Sequence, residues 1–303
     1  MKPKKLNLNF DIKTRPFDII TREELLSEIL EGKWSSLYKG KGLEFSGFRA
    51  YVYGDDASFI DWKATRRASK TLVRVYTRDR SARVLLVLDV GDSMLFSSRK
   101  DGKMKVEYSA ELAYRMAKSI LKSGDAVGLL MMSDKIKKKF EPNIGPAVIH
   151  KIKSELLKPE NYGGKFNFLQ AMKLLTSAAG EKVVIILLSD FIGLEDNWER
   201  YIQILNQKYD FIGVMIKDHR DRYLPLNGGQ IVLQDPSSNE KIYVDANQYA
   251  KRYHDAVLQE EESIMKKFKA AKAGLLKLET TDDGFLKLVQ FFNKRVTLQG
   301  VKK

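Results

Sequence analysis

The chain has 303 residues, 53 Lys and Arg against 39 Asp and Glu for a net charge of +14, 44% apolar residues, three histidines and no cysteine. Without cysteine there are no disulfides, no Cys-ligated zinc, no iron–sulfur cluster and no thiol nucleophile, and the apolar content excludes a disordered chain. Length alone predicts two domains, or one large α/β domain with an appendage.

In chain order, residues 1–10 carry Lys2, Lys4 and Lys5 but no apolar run of the kind a signal peptide needs. No apolar stretch approaches the roughly 20 residues of a membrane helix, so the expected location is the cytoplasm. A helix is expected over 21–31, capped by Thr21, followed by a Gly-, Tyr- and Trp-rich stretch over 37–80. From residue 83 onward, short apolar runs alternate with amphipathic segments, the pattern of a parallel sheet covered by helices on both faces. Strands are expected at 83–89, 125–132, 182–189, 209–216 and 275–278. Helices are expected at 104–122, 167–178, 195–207, 249–273 and 282–295, with Gly124, Gly180 and Gly274 as stops and Asp282 as an N-cap. The segment 135–141 follows its strand after almost no turn and reads as an antiparallel edge strand. The runs 230–234 and 241–244 flank a turn and read as an inserted β-hairpin within about 226–245. The expected class is therefore α/β, a doubly wound, mostly parallel sheet with one antiparallel edge strand, over 82–300, preceded by an N-terminal appendage over 1–81.

The sequence holds no Gly-x-Ser-x-Gly elbow and no complete phosphate loop; Gly40-Lys41-Gly42 lacks the second half of that motif. His150, His219 and His254 show no metal-ligand spacing, and covalent catalysis is not expected. The most informative run is 85–94, where an apolar strand closes on Asp89 and continues to Asp92 and Ser93. A second apolar strand closes on Ser189-Asp190. In an open α/β sheet, ligands bind at the carboxyl ends of strands where the strand order reverses. Two carboxylates converging there with the Ser93 hydroxyl make a hard-oxygen site of the type Mg²⁺ prefers. The structural alternative is that each Asp caps a helix or holds a loop through backbone N–H groups.

Asp89, Gly91 and Ser93 occupy the positions of the Asp-x-Ser-x-Ser motif, and the run resembles the metal-ion-dependent adhesion site of von Willebrand factor type A domains. In that resemblance the metal residues are Asp89, Ser93 and Asp190. Gly91 stands where the family has Ser, and Phe166, within Gly164-Lys165-Phe166-Asn167, stands where it has Thr. Two of five ligands are thus replaced, and Lys165 is the expected substitute cation for the two carboxylates.

Upstream, Gly42-x-Glu44-Phe45, Arg49-Ala50-Tyr51, Gly54-Asp55-Asp56, Ile60-Asp61-Trp62-Lys63-Ala64-Thr65-x-Arg67 and Leu72-Val73-Arg74 occur in order. This series resembles the signature of a bacterial and archaeal family catalogued as domain of unknown function fifty-eight, whose members join it to a von Willebrand A-like domain. The resemblance extends from about residue 36 to 295. It implies a non-enzymatic adaptor working with a MoxR-type AAA ATPase in the assembly or maturation of a client protein. Within the signature, Arg49, Tyr51, Gly54, Asp55, Asp61, Trp62, Arg67 and Arg74 are the residues of interest. On one reading they stiffen the appendage, with Asp55 and Asp61 accepting from Arg49, Arg67 or Arg74 and Trp62 anchoring the segment on the domain. On the other they face a partner.

Eight basic residues against one acidic lie between Lys63 and Arg83, and Lys135, Lys137, Lys138 and Lys139 form a second cluster. Nucleic-acid binding is the alternative function this suggests, although no recognition motif accompanies the charge. A metal-dependent hydrolase is the remaining alternative, with Asp92 the one neighbouring candidate base.

Overall fold

A computed structural model describes residues 3, 6–10, 43–53, 55–68, 70–78, 82–99, 102–178, 183–225, 229–234 and 240–300. The helix expected over 21–31, the stop expected at Gly180 and signature residue Gly54 lie outside the described residues. The central element is a six-stranded sheet in the order β10-β7-β6-β3-β4-β5. Its strands are β3 (Arg83–Asp89), β4 (Ala126–Met132), β5 (Ile136–Asn143), β6 (Val183–Ser189), β7 (Asp210–Lys217) and β10 (Gly274–Glu279). All neighbours are parallel except β4 and β5, so the sheet is mostly parallel with one antiparallel edge strand, as the sequence pattern implies. The continuous apolar runs of β3, β4 and β6 exist because both faces are covered.

Side chains alternate between two cores along each strand. Val84, Leu86 and Leu88 pack with helices α2 (Lys105–Lys122), α3 (Pro146–Leu156) and α7 (Gly284–Gly300). Leu85 and Val87 face the other way, toward α4 (Phe168–Ala178), α5 (Glu199–Lys208) and α6 (Ala246–Ala270). Of the stripe that helical spacing puts on one face of α2, Val106, Ala110, Ala113, Ala117 and Ile120 are buried and Leu121 is partly buried against the same core, and Gly124 stops that helix at φ +81°.

Several local expectations shift. Helix α3 has no counterpart in the sequence reading; it starts on Pro146, whose fixed φ suits a first turn. Helix α5 begins only at Glu199, because Phe191 and Asn197 take left-handed backbone in the preceding loop. Asp283, not Asp282, caps α7, accepting from the Leu286 N–H at 3.1 Å, while Asp282 turns back to accept from the Glu279 N–H at 2.7 Å. The chain turn before β10 falls on Lys272 at φ +56°, and Gly274 opens the strand instead of ending the helix.

The inserted hairpin forms as expected, β8 (Gln230–Gln234) against β9 (Lys241–Asp245), as a separate two-stranded sheet. The signature also forms an antiparallel pair, β1 (Leu43–Ala50) with β2 (Leu72–Arg78), joined through a short 3₁₀ turn and a single helical turn, α1 (Trp62–Thr65). The extended residues 6–10 lie along α2, with Leu6, Leu8 and Phe10 packed on its core. The backbone N–H groups of Asn7 and Asn9 donate to Glu107 and Glu111. The match is geometric: one helical i,i+4 step rises about 6 Å, close to the two-residue repeat of an extended chain.

Candidate functional site

The strand order sets the site. From β3 the chain passes to β4 on one side and later to β6 on the other, so the order reverses between β3 and β6. The crevice outside their carboxyl ends is where such sheets bind ligands. Asp89 ends β3 and Asp190 follows β6; each is about 1% exposed.

Neither carboxylate is left bare. Asp89 Oδ1 accepts from the Gly91 N–H at 2.8 Å, and Asp89 Oδ2 accepts from the Ser189 hydroxyl at 2.7 Å. Asp190 Oδ1 accepts from the Ile192 N–H at 3.1 Å, and Asp190 Oδ2 accepts from Lys105 Nζ at 2.8 Å. The same ammonium lies 3.0 Å from Asp221 Oδ2 and 3.2 Å from Asp221 Oδ1. Lys105 is the first residue of α2, 1% exposed, and its backbone N–H is tied to the Phe96 carbonyl at 3.1 Å. A second buried lysine, Lys217 at the end of β7, adds to the field at Asp190 and Asp221, and its own pKa is lowered by burial.

The charges separate accordingly. Burial first, and then the charge of Asp190, push the Asp89 carboxyl up to about 8. Asp190 is held below the ordinary carboxylate range by Lys105 and Lys217 despite its burial. The two carboxyls are thus pushed apart, Asp89 holding its proton to higher pH than Asp190, which faces Lys105.

The positions that depart from the adhesion motif fit one another. A Cβ placed on Gly91 would stand 2.9 Å from Phe166 Cβ, 3.0 Å from Asp89 Oδ1 and 3.2 Å from the Phe166 nitrogen. Gly91 has φ −67°, so the glycine is required by close approach and not by backbone conformation. Phe166 is held edge-to-face on Phe168 at 6.5 Å. Gly164 takes φ +105°, and a Cβ there would meet Asp134 Oδ1 at 2.6 Å. Asp92, the candidate base of the hydrolase alternative, is spent on this loop: its N–H donates to the Gly164 carbonyl at 2.8 Å and its Oδ1 accepts from the Gly164 N–H at 3.1 Å.

A divalent metal does not suit this arrangement. The Asp89 and Asp190 oxygens already accept from protein donors, Gly91 and Phe166 supply no oxygen, and no hydrogen bond joins Ser93 to either carboxylate among the described residues. Among the described residues, no group of three or more His, Asp and Glu side chains is placed to hold a metal ion. The lysine beside the carboxylates is not the expected one. Lys165 is exposed, and Lys105, 60 positions upstream in sequence, pairs with Asp190. Its only sequence signal was a lysine at the start of a helix whose following turns are apolar.

The signature residues form a second constellation. The Arg49 guanidinium pairs with both Asp55 oxygens, and Asp55 also accepts from the Val52 N–H at 2.9 Å. This holds the Asp55 carboxyl at about 2. Asp61 caps α1 through the Lys63 and Ala64 N–H groups, both at 2.9 Å, and accepts from Arg74 Nε at 2.8 Å. Asp56 caps the 3₁₀ turn through Ser58. Arg49 and Arg74, not Arg67, are therefore the partners of the two acids. Tyr51 joins the pair through its backbone, donating to the Thr71 carbonyl at 2.9 Å. Trp62 does not anchor the segment: it is 65% exposed, and Tyr53 is fully exposed.

The second basic cluster is largely neutralised in place, since Lys137, Lys138 and Lys139 on β5 pair with Asp134, Glu155 and Glu141. Lysines on an exposed sheet edge also oppose edge-to-edge pairing. Two of the scattered histidines share one partner: His219 and His254 each stack on the ring of Tyr223, at 4.8 and 4.5 Å. His254 Nδ1 lies 3.1 Å from the Arg222 carbonyl, so this is a packing arrangement remote from nucleophile chemistry.

Residues 47–263 match the family described as protein of unknown function DUF58. The chain belongs to that family. An uncharacterised protein of Mycobacterium tuberculosis and one of Mycobacterium bovis are each 24% identical to this DUF58 chain over 283 residues, covering 91% of it and 87% of the relative. Among solved structures, the BatB protein of Bacteroides thetaiotaomicron is similar, with TM-score 0.45 and 15% identity, over 71% of this chain and 98% of that one. A von Willebrand factor type A protein of Catenulispora acidiphila has TM-score 0.31 and 13% identity, over 48% of this chain and 35% of the other. No helix among the described residues of the DUF58 chain is long and apolar enough to cross a membrane.

Proposed function

We propose that this DUF58 protein is a non-enzymatic interaction module that uses the face of its signature hairpin to hold a partner, a MoxR-type AAA ATPase acting on a client protein in the cytoplasm. The observation that carries this reading is the contrast within the signature. Its acids are consumed in fixing the hairpin, while Val52, Tyr53 and Trp62 are exposed, as are Lys63, Arg66, Arg67 and Lys70 of the same signature. Exposed Trp and Tyr beside Arg are the residue types that carry binding energy at protein interfaces. The surplus of basic groups on that face suits an acidic patch on the ATPase. The choice of ATPase and client rests on the family resemblance.

Copurification with a co-encoded MoxR-type ATPase, folded and nucleotide-loaded, tests the reading. Binding that falls about tenfold or more in Trp62→Ala and Tyr53→Ala, with unchanged circular dichroism, is the expected result. Failure of the parent protein to bind, or undiminished binding by both variants, refutes it.

A further inference from the structure

The strand-end crevice keeps the carboxylates of a cation site yet lacks the oxygen ligands that would complete one. Three facts define what occupies that place. Lys105 Nζ lies 2.8 Å from Asp190 and 3.0 Å from Asp221, two carboxylates 31 positions apart in sequence that converge on one point. The ammonium is 1% exposed and enters from the first residue of α2, so the helix start fixes where it stands. At the two positions where the adhesion motif has Ser and Thr, Gly91 and Phe166 supply no side-chain oxygen, and a Cβ added to Gly91 would stand 2.9 Å from Phe166 Cβ.

We propose that the Lys105 ammonium is the resident cation of this site, standing between Asp190 and Asp221 where a divalent metal would otherwise bind, and that the site works without metal. A buried pair of carboxylates needs a compensating positive charge, and a covalently attached ammonium provides it at every metal concentration. It also removes the open coordination position through which a metal-bearing crevice takes up a partner's carboxylate. The site is then a permanently closed clasp between the end of β6, the turn after β7 and the start of α2. The inference is independent of which partner the hairpin face holds.

The test compares the parent, Lys105→Ala, and the double variant Lys105→Met with Asp190→Asn, each titrated with Mg²⁺ and Mn²⁺ by calorimetry and thermal unfolding. The parent is expected to give no saturable heat and no shift in midpoint. Lys105→Ala, which leaves Asp190 and Asp221 with Lys217 as the remaining buried cation, is expected to be destabilised and to regain roughly 5 °C or more at a metal concentration about 100-fold above its dissociation constant. The double variant, which removes both charges of the closest pair, is expected to fold with a midpoint well above that of Lys105→Ala and to ignore metal. Saturable binding to the parent that is lost in Asp190→Asn would overturn the inference. So would a folded Lys105→Ala that gains nothing from either metal. If Lys105→Ala does not fold, a double variant that is equally unfolded overturns it as well.

Discussion

Gly91 and Phe166 are complementary replacements, and this is open to a direct thermodynamic test. Substituting Gly91→Ala places a Cβ 2.9 Å from Phe166 Cβ, 3.0 Å from Asp89 Oδ1 and 3.2 Å from the Phe166 nitrogen. Ordinary carbon contacts lie near 3.5–4.0 Å, so the neighbours must retreat by about half an ångström. They have little freedom to do so. Asp89 Oδ1 is held by the Gly91 N–H itself at 2.8 Å, and the Phe166 ring is packed on Phe168. Overpacking of this kind costs ~1–3 kcal/mol. Because Gly91 has an ordinary φ of −67°, the substitution also stiffens the unfolded chain, which returns ~0.4–1 kcal/mol. The net expectation is a loss of about 1–2 kcal/mol in urea unfolding. The contact is with the Cβ of residue 166, not its ring. Phe166→Gly is therefore expected to relieve the clash, with a coupling energy of about 1 kcal/mol in a double-mutant cycle, and Phe166→Ala to relieve much less. A Gly91→Ala variant as stable as the parent, or equal coupling to Phe166→Gly and Phe166→Ala, refutes the steric account.

Other outcomes follow from the same structure. Asp89 has its folded pKa raised to about 8, above the unfolded value, so its contribution favours the fold at low pH and is lost as pH rises from about 4 through 8. Asp89→Asn is expected to flatten that decline in denaturation measured between pH 5 and 9, and an unchanged slope counts against a protonated Asp89. Glu261 is buried among Arg222 and Lys277, which hold its pKa down. Glu261→Ala leaves both cations without it and is expected to cost about 3 kcal/mol in the same assay, whereas a loss below about 1 kcal/mol rejects that estimate. Deleting residues 1–10 uncovers the face of α2 lined by Leu6, Leu8 and Phe10 and unties Glu107 and Glu111. The expected signs are a lower thermal midpoint and faster amide exchange at the start of α2; unchanged exchange there denies the segment its bracing role.

Much of this was decided by local pattern. The runs that became β3, β4 and β6 are apolar without alternation, which only a strand covered on both faces can afford, and α2 carries its buried stripe at helical spacing. Both are properties of consecutive residues, and so are Asp89 and Asp190 at the ends of their strands. The partners of Asp55 and Asp61 were also within reach, because Arg49 and Arg74 lie on the two strands of one hairpin. What no local pattern holds is which charge from elsewhere in the chain arrives at a given point. Lys165 is near the carboxylates in sequence, yet its loop turns it to solvent, while Lys105 meets Asp190 across 85 positions and Asp221 across 116 because α2 and the turn after β7 both open onto the same crevice. Trp62 likewise has the composition of an anchor, and only the turn into α1 leaves it exposed. The sequence by itself determined the strands of the sheet, its antiparallel edge and the two strand-end acids, since these follow from local periodicity and turn length. Tertiary structure decided that the acids are closed by a lysine instead of left for a metal, since the pairing of buried charges depends on distances that only the folded chain sets.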